Sequence, residues 1–149
     1  MPHTFTQLHF HVVFSTKNRA PCLAPAIREQ VWEYLGGVVR GEGGLVHRIG
    51  GIADHVHLLL TLRQTKTLAD MMRTVKAVSS GWAAKTLPTE EIRWQTGYAA
   101  FSVSHSMIDV VGEYIRNQET HHHKRSLQDE LRQLLSRHGL EPDEAHMWT

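Results

Sequence analysis

The segment LVHRIGGIADHVHLLLTL, residues 45–62, contains two short apolar runs separated by turn-forming residues. Runs of this length, at 45–49 and 55–62, are typical of β-strands. The Gly50-Gly51 pair and Asp54 lie between them and favour a change of chain direction. The segment therefore predicts a β-hairpin near the middle of the chain.

Helical and strand patterns flank this hairpin on both sides. Apolar residues recur at helical spacing over about 26–40 and 67–85, and Thr67 is placed to cap the second of these helices. Alternation over 8–14 and a short run at 98–103 predict two more strands. The order β-α-β-β-α-β predicts an α+β fold, the ferredoxin-like split βαβ arrangement. Helices cover one face of its antiparallel sheet, and the other is open to a ligand, a partner or a further helix.

Two further helices are predicted after this core. The first begins at Ser106 as its cap and continues to about residue 118, and the second covers about 127–137. We expect a single domain over residues 1–149, with the core at about 1–104 and the C-terminal helices at about 105–149.

Composition limits the classes of protein to consider. The 149 residues carry 16 lysines and arginines against 15 acidic residues, so a net charge of +1 neither suggests nor excludes a nucleic-acid partner. One cysteine, Cys22, excludes an intramolecular disulfide and a multi-thiolate zinc site. No apolar stretch is long enough to cross a bilayer, and residues 1–7 lack the apolar core of a secretion signal. We expect a cytoplasmic protein without a membrane partner.

Histidine is abundant, with twelve residues, and two pairs have the spacing of a metal site. His55 and His57 are two apart on a predicted strand, so their side chains project from the same face. Two neighbouring imidazoles form half of a metal site, and Asp54 could orient one of them. His9 and His11 repeat this spacing on the first strand, and periodicity does not choose between the pairs.

Tyr114 and Gln118 are four residues apart on a predicted helix and are therefore neighbours on one helix face. If this helix lies on the open sheet face, Gln118 offers a neutral oxygen as the third ligand beside His55 and His57. Such a site suits Mg²⁺ or Mn²⁺, which would polarise a phosphate. The phenol of Tyr114, with a pKa of ~10, would be the nucleophile.

Five segments in this order resemble the HUH single-tyrosine transposases of small bacterial insertion sequences, including relatives associated with repetitive palindromic elements. The segment His55-Val56-His57 has the family's His-hydrophobic-His pattern. The other similar segments are the opening strand His11–Phe14 with Thr16, Lys17 and Arg19, the second-helix segment Val75–Ser80, the fourth-strand region Trp94–Ser104, and the helix Tyr114–Gln118 with His121 and His122.

The resemblance implies an enzyme that cleaves and rejoins single-stranded DNA at the ends of a mobile element. It implies a 5′-phosphotyrosine intermediate on Tyr114, and Mg²⁺ or Mn²⁺ held by His55, His57 and Gln118. It also implies recognition of DNA hairpins, and a homodimer in which the tyrosine helix of one subunit can complete the site of the other. His11 belongs to the opening strand motif, whereas His9 has no counterpart.

Four cationic residues are candidate DNA contacts, although each fits a solvated surface equally well: Lys17, Arg19, Arg73 and Lys76. Ser80 could hydrogen-bond DNA, but a serine within a helix is usually just a tolerated small residue. Two other functions stay open at this point. One is a domesticated relative that processes genomic palindromes, and the other is a non-catalytic module that binds single-stranded DNA hairpins.

Overall fold

A computed structural model describes residues 3–87, 91–122 and 125–147 of the chain. Its strands are β1 Leu8–Ser15, β2 Leu45–Ile52, β3 His55–Leu62 and β4 Ala99–Val103. Its helices are α1 Pro25–Gly41, α2 Leu68–Thr86, α3 Ile108–Arg116, α4 Gln118–His122 and α5 Leu127–Arg137. The protein therefore has the predicted α+β fold, with a βαββαβ core followed by C-terminal helices. In the described ranges, no helix is both long and apolar enough to cross a bilayer.

The four strands form an antiparallel sheet with the order β2-β3-β1-β4. Strand β1 is central, and it pairs with β3 in a register that places Val13 opposite His57 and Ser15 opposite His55. This order is the one predicted for the split βαβ arrangement, because the two central strands come from different halves of the core.

Alternating side chains give the sheet two different faces. One face carries an apolar core with α1 and α2, formed by strand residues such as Val12, Phe14 and Leu58 together with helix residues such as Leu35 and Met72. Burial of these side chains drives the packing of this layer. Helix α2 begins as predicted, because the Thr67 hydroxyl accepts a hydrogen bond from the Asp70 backbone amide at 3.1 Å.

The second face is covered by the C-terminal helices. Helix α3 packs over β2 and β3. Leu127 and Leu134 of α5 pack against Val13 and Phe101 of the sheet in a smaller apolar cluster. The face left open by the βαββαβ core is thus occupied by further helices of the same chain.

The hairpin differs from its predicted form. Strand β2 continues through Gly50 and Gly51 to Ile52, so the two glycines are strand residues and the turn is made by Ala53 and Asp54. Position 50 requires glycine for another reason, because the end of α3 lies directly against the strand there. A Cβ atom at this position would lie 2.6 Å from the backbone oxygen of Ile115.

Candidate functional site

Strand β3 places two imidazoles side by side on the sheet face that α3 and α5 cover. His55 and His57 are fully buried there, and Val56 points into the opposite core. The expectation that both histidines project from one face, because strand side chains alternate, is therefore confirmed.

The helix expected to continue from Ser106 to Gln118 is interrupted. Ser106 does not cap it but lies in a 3-10 turn, and α3 ends at Arg116, followed by the C-cap Asn117 with φ and ψ of −94° and 24°. Gln118 begins the separate helix α4. Its side chain is 1% exposed, and its Oε1 atom lies 3.0 Å from Nε2 of His55. Tyr114 and Gln118 are therefore neighbours in space, although they do not share one continuous helix.

A residue that the sequence analysis did not select, Glu130 of α5, lies at the centre of this arrangement. Its Oε1 atom is 3.1 Å from Nε2 of His57 and 3.7 Å from Nε2 of His55. Its Oε2 atom accepts hydrogen bonds from the Tyr114 hydroxyl and from Nε2 of Gln118, the latter at 3.1 Å. The available signal was an acidic residue on the apolar face of an amphipathic helix, three residues after Leu127.

The second ring nitrogen of each histidine has its own partner. Nδ1 of His55 donates to Oδ1 of Asp54 at 2.9 Å, which fulfils the orienting role expected for this carboxylate. Nδ1 of His57 lies 2.7 Å from Nε2 of His11. Burial, followed by the neighbouring His57, lowers the pKa of His11 to about 3, so His11 is neutral and the tautomers of the two rings decide which of them donates in this contact.

The contact with Asp54 assigns the position of one ring proton. A carboxylate oxygen only accepts, so Nδ1 of His55 carries the proton, and in this neutral tautomer Nε2 of His55 has the lone pair. Nε2 of His55 faces Oε1 of Gln118 at 3.0 Å, and Nε2 of His57 faces Oε1 of Glu130 at 3.1 Å. Each Nε2 atom is therefore next to a side-chain oxygen that could bind the same cation.

The donor set therefore fits a divalent metal ion. Ligand atoms of His55, His57 and Glu130 all lie within 4.8 Å of one another. Imidazole nitrogens with amide and carboxylate oxygens are ligands that Mn²⁺ accepts, and Mg²⁺ favours the oxygens. Asp54 and His11, which bond the far side of each ring, are outer partners of the kind found behind metal-bound histidines.

Tyr114 is held beside this donor set. Its hydroxyl donates to Glu130, and its ring centroid is 5.9 Å from that of His57. Burial, together with the hydrogen bond and negative charge of Glu130, raises the pKa of the Tyr114 phenol. Next to Tyr114 is a cavity of about 400 Å³ between β4, α3 and α5, whose lining includes Val110 and Arg137.

The candidate DNA contacts fall into two groups. Lys17 and Arg19 lie in a 3-10 turn after β1, close to Asp54, whose backbone oxygen accepts from the Thr16 amide at 2.9 Å. This turn is at the His55 end of the sheet. Arg73, Lys76 and Ser80 instead belong to α2, on the opposite side of the sheet.

Two members of the α2 group have partners within the protein. The ammonium group of Lys76 donates to the backbone oxygens of Gln95 and Gly97, the first at 3.0 Å, and burial lowers its pKa to about 8. Arg73 pairs with Asp70 at 3.0 Å. Contact with DNA remains a prediction for all five candidates.

The second histidine pair is divided between two environments. His11 reaches the site through His57, as described above. His9 lies further along β1, where its Nδ1 is 2.6 Å from the Thr61 hydroxyl and its Nε2 is 3.1 Å from Nδ1 of His105. His55 and His57, rather than His9 and His11, are therefore the pair that meets Gln118.

Comparisons of the sequence and of the structure with known proteins all find transposases similar to this chain. The chain is 23% identical over 118 residues to the ISDra2 transposase TnpA of Deinococcus radiodurans, which covers 75% of this chain and 84% of the relative. A solved transposase structure from D. radiodurans R1 has a TM-score of 0.65 at 21% identity, covering 79% of this chain and 95% of that one.

A second solved structure, a REP-associated tyrosine transposase bound to a REP hairpin, has a TM-score of 0.58 at 15% identity and covers 82% of this chain and 74% of that one. These two structures share the fold of this chain. The family model described as "Transposase IS200 like" matches residues 4–118, which is most of the sequence. The chain therefore belongs to the IS200-like family of tyrosine transposases.

Proposed function

We propose that this transposase cleaves and rejoins single-stranded DNA at insertion-sequence ends through a 5′-phosphotyrosine on Tyr114. His55, His57 and Gln118 would hold the required divalent ion, Mg²⁺ or Mn²⁺. The family supports strand transesterification as the reaction class. The observation that carries the residue assignment is that Tyr114 and Gln118 both bond the carboxylate that also touches His57.

The proposed step exchanges one phosphodiester for another. The phenol oxygen of Tyr114 attacks the phosphorus, the bond from phosphorus to the 3′-oxygen breaks, and that strand leaves as a 3′-hydroxyl after taking up a proton. The phenol loses its own proton in the same exchange. A 3′-hydroxyl that later attacks the phosphotyrosine reverses these bond changes, so rejoining needs no ATP.

The surroundings of Tyr114 explain why a metal is part of this proposal. Burial and Glu130 both favour the protonated phenol, because they raise its pKa. A bound divalent ion supplies positive charge that polarises the phosphate and stabilises negative charge on the attacking oxygen. The chain itself contributes position: His57 is oriented by His11, His55 by Asp54, and Tyr114 by Glu130.

The partner we propose is a single-stranded DNA hairpin at an element end. A structural neighbour was solved with a REP hairpin, which supports this class of DNA for the present chain. The cavity of about 400 Å³ beside Tyr114 has space for an unpaired nucleotide, and Arg137 lines it. A role in processing genomic palindromes uses the same chemistry, and multiple genomic copies with flanking hairpins would favour the mobile element.

A covalent-adduct assay tests the proposal. A labelled single-stranded element end is incubated with the protein and Mn²⁺, and SDS-resistant adducts are counted on a gel. We expect Tyr114→Phe and addition of a chelator each to abolish the adduct, while Tyr114→Phe still binds the hairpin. An adduct that persists in Tyr114→Phe would assign the nucleophile to another residue. Full retention of the DNA phenotype by His57→Ala would favour a non-catalytic binding module.

We also propose a homodimer, as the family resemblance implies, with light scattering as its test. Exchange of the tyrosine helix between subunits is not required to bring the proposed residues together, because Tyr114, Gln118, His55 and His57 meet within one chain.

A further inference from the structure

Helix α5 carries a buried carboxylate outside the segment that the family model matches, which ends at residue 118. Glu130 is three residues after Leu127 and four before Leu134, so it lies on the helix face that packs against the sheet. Its side chain is 1% exposed. Burial of an ionised carboxylate is strongly unfavourable unless hydrogen-bond donors or a positive charge compensate for the lost water.

The two oxygens of Glu130 meet different partners. Oε2 accepts from the Tyr114 hydroxyl and the Gln118 amide, so its negative charge has two donors. Oε1 instead faces Nε2 of His57 at 3.1 Å and Nε2 of His55 at 3.7 Å. Oε1 of Glu130 and one ring nitrogen of each histidine are therefore possible ligand atoms for one cation, since the ligand atoms of these three residues all lie within 4.8 Å of one another.

We propose that Glu130 is itself a ligand of the divalent ion, through Oε1. This inference rests on the metal site in the proposed function and extends it from three neutral ligands to a set that includes a carboxylate. One carboxylate reduces the net charge of the loaded site from 2+ to 1+ and adds an oxygen ligand of the type that Mg²⁺ and Mn²⁺ bind. The ion is therefore bound more tightly than two imidazoles and one amide would achieve.

The same carboxylate connects the metal to the nucleophile. Oε2 accepts a hydrogen bond from the Tyr114 hydroxyl, so the carboxylate that faces the histidines through Oε1 also holds the phenol. Leu127 and Leu134 secure α5 on Val13 and Phe101, which holds Glu130 in place. Glu130 is thus also a positioning residue for Tyr114, and helix α5 contributes this side chain to the site.

Direct measurement of Mn²⁺ binding tests this assignment without a DNA substrate. The full-length protein is titrated with Mn²⁺ by calorimetry and by the loss of the free Mn²⁺ signal in electron paramagnetic resonance. The variants are Glu130→Gln, which keeps the size of the side chain and one accepting oxygen but removes the charge, and Glu130→Asp, which keeps the charge. Asp129→Asn is the matched control, because Asp129 is the neighbouring acid on α5 and is 62% exposed. His57→Ala is the reference for loss of the proposed site.

We expect Glu130→Gln to weaken Mn²⁺ binding at least tenfold, Glu130→Asp to weaken it by less, and Asp129→Asn to stay within twofold of the wild type. Binding by Glu130→Gln at the wild-type affinity, or more tightly, overturns the inference, because the carboxylate would then only compete with the ion. If Glu130→Gln does not fold, wild-type affinity in Glu130→Asp overturns it instead. Unchanged binding in His57→Ala would refute the metal site of the proposed function itself, a result distinct from failure at Glu130 alone.

Discussion

A methyl group at position 50, in the variant Gly50→Ala, should reduce the activity of the site although it replaces none of the proposed ligands or the nucleophile. Gly50 is the β2 residue paired with His57, and the end of α3 lies directly on it. In Gly50→Ala the new Cβ would be 2.6 Å from the Ile115 backbone oxygen, whereas such contacts are essentially never below 3.0 Å. The end of α3 must therefore move by at least about 0.4 Å, and by about 0.8 Å to reach an ordinary contact of 3.4 Å.

This displacement is large on the scale of catalysis. Reacting groups need to be held within about 0.5 Å of their working positions, and a shift of about 1 Å can cost on the order of 100-fold in rate. Because Tyr114 directly precedes Ile115 and Gln118 follows it by three residues, we expect Gly50→Ala to reduce adduct formation about 10- to 100-fold. Overpacking of this kind also destabilises proteins by about 1–3 kcal/mol. At about 2–4 °C per kcal/mol, the melting temperature should fall by roughly 2–12 °C.

The assay combines the covalent-adduct gel, Mn²⁺ titration and thermal unfolding. Gly81→Ala is the matched control, because a Cβ at Gly81 on α2 has no atom within 4 Å. Alanine in an exposed helix is also slightly more favourable than glycine, so this control should keep both stability and activity. The reasoning is refuted if Gly50→Ala forms adduct at the wild-type rate with an unchanged melting temperature, since α3 would then not depend on this contact.

Two further predictions concern groups around the site and the core. Asp54→Asn should weaken Mn²⁺ binding about 10- to 100-fold, because the partner that orients His55 through Nδ1 loses its charge, and unchanged affinity in calorimetry would contradict this. The pKa of Lys76 is near 8 in the folded chain against 10.5 for an ordinary lysine, so the unfolded chain binds more protons between these pH values. The contribution of Lys76 to the free energy of unfolding should therefore be constant below pH 8 and increase from pH 8 to 10.5. Urea denaturation at pH 7.5 and at pH 10 measures this increase. We expect Lys76→Met to lack it. Equal pH slopes in the two proteins would rule out this role of Lys76.

Local sequence patterns were sufficient for most elements of the fold. Alternation over residues 8–14 and the helical spacing over 127–137 depend only on near neighbours, and both elements are present at or within one residue of the expected limits. The prediction that Gly50 and Gly51 lie in the turn was wrong for the same reason. Adjacent glycines usually mark a turn. At position 50, however, glycine is required because the backbone of Ile115 lies against it, and Ile115 is distant in sequence and contacts the strand only after folding.

The candidate site was predictable to the extent that its residues were adjacent in sequence. Periodicity placed His55 and His57 on one face, and the position of Asp54 suggested its orienting role. The contact of Gln118 with His55 spans 63 residues, and no local pattern specifies it. Glu130 was missed because its helix reads as an ordinary amphipathic segment until the packing of α5 on the second sheet face is known.

Assembly of this site depends on the second face of the sheet more than on the main core. The apolar residues beneath α1 and α2 stabilise the sheet, but none of the five groups of the site belongs to that layer, neither Glu130 nor the four groups around it. The groups come instead from β3, from the junction of α3 and α4, and from α5, whose apolar contact with the sheet is a small cluster. Glu130 supplies polar contacts that draw these elements together, and its own burial is tolerable only with those partners in place. The site and the packing of the C-terminal helices therefore stabilise each other, which makes α5 the element through which changes outside the matched segment can alter the chemistry at Tyr114.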